Sequence, residues 1–389
     1  MVGRFVCVNS QIQPERAVFC SVNESKLAEK QRQTIKVPQV KKQSVVENLH
    51  RLGNFFELSL QEDAHIEMEA LKPLLEKSRR LIQEAKHTNR WFTEDSVKTA
   101  YAAWAKSLQR KAIEQWLEKY ALKAPNPPKK VGVIMAGNIP LVGLHDALTV
   151  LLSGNQLLAK LSSKDTALMG LVLEVLAALD SDWEDRIQKV DQLKEAEILI
   201  ATGSDNSARY FDYYFREKPK LIRKNRSAVA VLSDHASEAQ IEKLADDVFI
   251  HFGLGCRNVT KVFIPQDFEL DRLFKAFYKY KEVIHHHQYA NNYDYNKAVY
   301  LMSRIDLREN GFLLLKEDEG IHSPLGVLFY ERYRELNEVE DKLKPISEEI
   351  QVVVSDFEHP DFEDLGKAQQ PDLWDYADGV DTLRFLIEA

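Results

Sequence analysis

The feature that most narrows the fold is a change of texture at residue 131. From there short apolar runs, VGVIMAG (131–137), QLLAKLS (156–162), AEILIATG (196–203), SAVAVLS (227–233) and TKVFIP (260–265), alternate with helix-patterned segments beginning near Leu144, Asp165, Asn206 and Ser237. Runs of this length bounded by turns read as buried strands, and strands alternating with helices make a parallel, doubly wound sheet. In such a sheet ligands bind at the carboxyl ends of the strands. Asn138, Lys160, Thr202, Gly203 and Ser204 stand at those ends.

The flanks differ. Val45 to Ala124 carries apolar residues at three- and four-residue spacing between charged ones, the mark of amphipathic helices, and Ala124-Pro-Asn-Pro-Pro128 stops them. Residues 1–40 show neither period and are expected to be a poorly packed tail. Beyond Asp267 the pattern is helical again, followed by a strand pair expected at SPLGVLFYE (323–331) and IQVVVS (350–355). The division expected is therefore a tail (1–40), a helical lead-in with a dinucleotide-binding domain (41–250), a smaller α/β thiol domain (251–355) and a C-terminal docking segment (356–389).

Charge excludes one class of partner. With 52 Lys and Arg against 60 Asp and Glu, the formal net charge is −8, which argues against a protein whose main partner is nucleic acid, while leaving room for a local basic pocket. No apolar run reaches the roughly 20 residues of a membrane span; the most apolar stretch, Met169 to Leu179, is broken by Glu174. MVGRFVCVNSQIQPER lacks a signal-peptide core, so a cytoplasmic protein is expected. Three cysteines, Cys7, Cys20 and Cys256, cannot form a disulfide framework, and an odd number leaves a free thiol.

No G-x-G-x-x-G follows a strand, so the usual dinucleotide fingerprint is missing. Thr202-Gly203-Ser204 ends a strand and opens a helix, where free N–H groups can face a phosphate; the alternative is an ordinary turn with Ser204 as N-cap. Lys160, with Lys164 in the next turn, can grip ribose or phosphate or simply be solvated. Cys256 lies in FGLGCRNVTK, where Gly253 and Gly255 allow close backbone approach and Arg257 can favour the thiolate; the alternative is a structural thiol. His285, His286 and His287 are consecutive and cannot share one metal, and the acidic tail lacks calcium-loop spacing, so no metal is expected.

Taken in order, IMAGNIPLVGLHD, LAKLSSKD, ATGSDNSARYF and FGLGCRNVTK, with WDYADGVDT as a tail signature, resemble the aldehyde dehydrogenase superfamily, and within it the LuxC-like acyl-CoA reductases. The resemblance runs from about Val131 to Thr382 and implies an aldehyde-dehydrogenase-like α/β fold. It implies that Asn138 donates to the oxyanion, that Lys160 meets the adenosine ribose, that Thr202, Gly203 and Ser204 flank the nicotinamide and diphosphate, and that Cys256 is the nucleophile.

Four departures from the superfamily pattern sharpen this. The segment matching E-L-G-G-K is LIRKNRSAVAVL, which has no carboxylate base to activate water, so a thioacyl enzyme here should persist for exchange with another thiol. Ser163 stands where NAD-preferring relatives carry a ribose-chelating Glu, and Lys164 is adjacent, so NADPH is expected over NADH. The oligomerisation hairpin is shortened or absent, leaving a homo-oligomer possible but its form open. E-x-F-G-P is altered to GIHSPLG, with the role of Glu319 undecided. The resemblance thus implies reduction of an acyl thioester, chiefly fatty acyl-CoA, to the aldehyde. Alternatives are an aldehyde-oxidising dehydrogenase and an acyl-carrying subunit fed by a separate acyl-protein synthetase or transferase.

Overall fold

A computed structural model describes residues 39–122, 127–202 and 215–389. Most of the expected tail, Gly203, Ser204 and the helix expected from Asn206 lie outside the described residues.

Four helices lead in: α1 (Gln39–Ser59), α2 (Lys72–Thr88), α3 (Glu94–Ser107) and α4 (Arg110–Glu118). Each buries one stripe, such as Leu49, Leu52, Phe55 and Phe56 on α1, or Leu75, Ile82 and Ala85 on α2. Thr93 caps α3 by accepting from the Ser96 N–H at 3.2 Å. Between α4 and the first strand the described residues contain no hairpin.

The first sheet consists of β1 (Lys130–Ile134), β2 (Gln156–Lys160), β3 (Ile187–Lys189), β4 (Ile198–Thr202) and β5 (Lys220–Arg223), in the order β3-β2-β1-β4-β5. Every pairing in it is parallel. Helices α5 (Leu144–Leu152), α6 (Thr166–Leu179) and α7 (Ser181–Arg186) link its first strands. The order reverses between β1 and β4, which makes the crevice above their carboxyl ends the natural ligand position.

The second sheet takes β6 (Ser227–Val231), β7 (Val259–Pro265), β8 (Arg308–Glu309), β9 (Leu314–Glu317), β10 (Val327–Tyr333), β11 (Ile350–Ser355) and β12 (Glu363–Asp364), in the order β12-β11-β6-β7-β10-β9-β8. Only β8 and β9 pair antiparallel. Its helices are α8 (Glu238–Phe249), α9 (Asp271–Phe277), α10 (His287–Met302) and α11 (Leu336–Leu343), and α12 (Thr382–Glu388) closes the described chain.

Two expectations need correction. The chain crosses from one sheet to the other between Arg223 and Ser227, ahead of the expected boundary at residue 250, because SAVAV is buried at all five positions and lies between β7 and β11. The runs at 323–331 and 350–355 do form strands of one sheet, but β6 and β7 stand between them. Two short strands, β3 and β5, carry too few apolar residues to stand out from the sequence.

The tail returns to the first half. Leu373, Tyr376, Leu383 and Leu386 belong to the core shared by the lead-in helices and the first sheet. Tyr376 accepts from the Trp116 indole at 2.8 Å. No helix among the described residues is long and apolar enough to cross a membrane.

Candidate active site

The loop that carries Cys256 has an unusual backbone. After α8, His251 (φ 56°), Phe252 (φ 59°) and Gly253 (φ 80°) are consecutively left-handed. A non-glycine residue held this way costs on the order of 1 kcal/mol and persists only where its surroundings enforce it. Asn258, fully buried, supplies that enforcement. Its amide donates to the carbonyls of Asp247 (3.0 Å), Val248 (3.3 Å) and Ile250 (2.8 Å), and its Oδ1 accepts from the Gly255 N–H at 2.8 Å. A Cβ at Gly255 would lie 3.0 Å from that same Oδ1, so glycine is what lets the loop close on Asn258.

The tail locks the loop from outside. Asp247 accepts from the backbone N–H groups of Gly366 (2.6 Å) and Ala368 (2.9 Å), while Arg257 Nε donates to the Ala368 carbonyl. Burial pushes the Asp247 carboxyl up to about 7.

Cys256 is exposed on the wall of a cleft of about 1560 Å³. Protein surrounds it on its other sides, and this burial pushes the thiol above its ordinary range. Arg257 pulls it down, as the sequence suggests, but burial together with the Asp378 charge outweighs that pull. On the same loop, burial lowers the His251 imidazole to about 4, and its Nδ1 is buried without a hydrogen-bond partner.

Asn138 lies against this loop. It follows β1 in a turn held by the Asn89 amide on the Gly137 carbonyl (3.2 Å) and by the N–H of Leu141, itself left-handed, on Asp165 Oδ2 (2.9 Å). Asp165 also caps α6, accepting from the Met169 N–H at 3.3 Å. The Asn138 amide donates to the Leu254 carbonyl at 2.7 Å, two residues before Cys256, which leaves its second N–H for another acceptor.

Asn138, Cys256 and Thr202 line the one cleft; Lys160, Ser163 and Lys164 do not. Those three stand exposed at and just beyond the end of β2. The loop after β1 packs on theirs, since a Cβ at Gly137 would lie 2.6 Å from Ser162 Oγ and 3.0 Å from Lys164 Cβ.

The segment from Ile222 to Ser227 lines the cleft without a carboxylate, as its sequence indicates, but acids reach the cleft from elsewhere. Asp378, left-handed at φ 60°, pairs with Arg226 at 3.1 Å, and Glu349 approaches from the turn before β11. Sequence reading missed these because they lie more than ninety residues beyond the thiol. Arg223 is held by both oxygens of buried Asp146, at 2.6 and 2.7 Å, and donates to Thr382 at 2.9 Å. Glu319 faces a separate hollow with Glu317, Asp318, Glu331 and Arg332; from its segment His322, Ser323 and Leu325 line the cleft. His286 stacks on Trp91 at 4.8 Å, and no group of three potential ligands among the described residues is placed to hold a metal.

Known proteins resemble this chain in sequence and in fold. A curated relative, the long-chain acyl-protein thioester reductase of Aliivibrio fischeri, is 21% identical over 227 residues, covering 53% of this chain and 47% of its own length. The chain thus spans about half the length of that relative. Among solved structures, an NAD+ complex of an aldehyde dehydrogenase from Bacillus cereus superposes with a TM-score of 0.54 at 12% identity, covering 81% of this chain and 72% of that one. PutA from Anabaena variabilis, described as a possible aldehyde dehydrogenase, gives 0.55 at 12% identity over 82% and 79%. These place the fold with the aldehyde dehydrogenases. The model of the acyl-CoA reductase (LuxC) family matches residues 40–273, from the first described helix through the thiol loop, and on that match over more than half of its length the chain belongs to the LuxC family.

Proposed function

We propose that this protein reduces an acyl thioester, with fatty acyl-CoA as the donor, to the aldehyde at the expense of NADPH, through a thioester on Cys256. The observation that carries this reading is the seating of Asn138 on the Cys256 loop, an amide 2.7 Å from the Leu254 carbonyl with one N–H to spare, beside a linker that lacks a base for water. The residues at the carboxyl ends of the first sheet fit a phosphorylated dinucleotide: Lys160 and Lys164 are exposed cations, Ser163 adds no acid between them, and the Gly137 turn leaves no room for a side chain above them. Lys160, Lys164 and Thr202 would hold it.

In the reaction Cys256 loses its proton and attacks the thioester carbonyl. The oxyanion is received by the free N–H of Asn138 and by the Cys256 backbone N–H, each worth about 3 kcal/mol when well placed. The donor thiol departs, leaving the acyl group on Cys256. When bound, the reduced nicotinamide supplies the hydride that this acyl carbon needs. Collapse of the resulting thiohemiacetal anion frees the aldehyde and releases the Cys256 thiolate, which regains its proton from solvent.

Incubation with radiolabelled acyl-CoA and no cofactor tests the chemistry. A hydroxylamine-sensitive label on the wild-type chain, absent from Cys256→Ala, is expected; label persisting on the variant overturns the nucleophile. A Michaelis constant for NADH at or below that for NADPH overturns the cofactor preference. The printed name of the Aliivibrio fischeri relative, an acyl-protein thioester reductase, favours a second reading in which a partner acyl-protein synthetase supplies the acyl group. Failure with every free acyl-CoA selects it.

A further inference from the structure

The cleft holds a second polar assembly, to which the reaction above gives no role. Ser227 Oγ lies 2.8 Å from His322 Nδ1, and His322 Nε2 lies 3.2 Å from Glu349 Oε2. All three line the cleft. Ser227 is buried at the start of β6, so it fixes one edge of the ring, while His322 and Glu349 are exposed. An exposed pair of this kind is weak and easily replaced by another partner.

Strand register roots the assembly next to the start of β7, where the chain leaves the thiol loop. Ala228 pairs with Val259 and donates its N–H to the Asn258 carbonyl at 3.2 Å, so Ser227 sits across from the residues that leave Cys256. From the same strand, Thr260 donates its hydroxyl to the carbonyl of Ile321, the neighbour of His322. The ring is thereby stitched to the root of the thiol loop on two sides.

We propose that His322, oriented by Ser227, donates the proton to the thiol that leaves when Cys256 takes the acyl group. The proposal rests on the thioester reading above. In this step the bond from Cys256 sulfur to the acyl carbon forms, the bond from that carbon to the donor sulfur breaks, and its electron pair leaves with the donor sulfur. The imidazolium gives that sulfur its Nε2 proton, releasing Glu349, and regains one from solvent. Nothing is oxidised or reduced. Imidazole is the group proteins use most often for such transfers, at a gain of about 10²- to 10⁴-fold.

Leaving-group dependence distinguishes this role from a structural one. An aromatic thiolate leaves without protonation, so the same acyl group is offered as its CoA ester and as its thiophenyl ester, and single-turnover thiol release is followed without cofactor. For His322→Gln, release from acyl-CoA is expected to fall about a hundredfold, while release from the thiophenyl ester stays near wild type. Ser227→Ala, which frees the ring, should show a smaller loss with the same donor dependence. Equal losses on both esters, or no loss on acyl-CoA, overturn the role of His322. A wild-type chain that releases thiol from neither ester overturns the thioester reading itself, and the proton donor with it.

Discussion

Around Cys256 each turn of the backbone is held by a buried polar group: Asn258 grips four backbone partners, and Asp247 reaches two N–H groups of the tail. Around Lys160 and Lys164, by contrast, the side chains stand exposed at a strand end and its following turn. The thiol side is positioned by a network that must be complete, because a buried polar group left unpaired costs about 1–3 kcal/mol. The proposed dinucleotide side is tuned by charges in water, where each change is small and independent. Chemistry is therefore expected to be rigid, and cofactor preference easy to move.

The largest effect should come from breaking the network. Asn258→Ala removes four hydrogen bonds to the backbone on either side of the three left-handed residues, and a loss of about 3 kcal/mol in urea unfolding is expected. A loss under about 0.5 kcal/mol, the range of an ordinary surface change, would show that the loop holds itself. Next, Asn138→Ala should slow acyl transfer to Cys256 about a hundredfold with little change in stability, measured by single-turnover thiol release.

On the exposed side, Ser163→Glu should shift the ratio of kcat/KM for NADPH over NADH about tenfold toward NADH, an energy of about 1.4 kcal/mol. A shift as large as the Asn138 effect would mean that the two sides are not as different as their burial suggests. The smallest effect concerns the thiol's ionisation. Because its range is raised, the rate of Cys256 alkylation should climb with pH without a plateau below pH 9. Asp378→Asn removes a negative charge that favours the protonated form, so at fixed pH alkylation should quicken about threefold. Slower alkylation would reverse the assigned sign.

What could be read beforehand follows the same division. Asn138 and Cys256 could be named through the family resemblance of AGNIP and FGLGC, and the fold brings both to one cleft. Lys160, Ser163 and Lys164 could be named from the sequence, yet they stand on the rim and not in the cleft that holds the thiol. Asn258 went unnoticed although its signal was present: a polar residue directly before an apolar strand, close to a candidate nucleophile. Asp378 and Glu349 could not be placed, since only the folded tail and β11 bring them to the cleft. The sheet boundary was missed because SAVAV reads the same whichever sheet receives it, and only its neighbours β7 and β11 decide.

The docked tail has a consequence for the order in which the molecule comes together. Its backbone at Gly366 and Ala368 meets Asp247 and Arg257, while Tyr376 and Leu383 enter the core of the opposite half. During synthesis Cys256 emerges more than a hundred residues ahead of those partners. The loop of the proposed nucleophile therefore stays unfinished while more than a hundred further residues are made, and it acquires its final geometry as one of the last acts of folding.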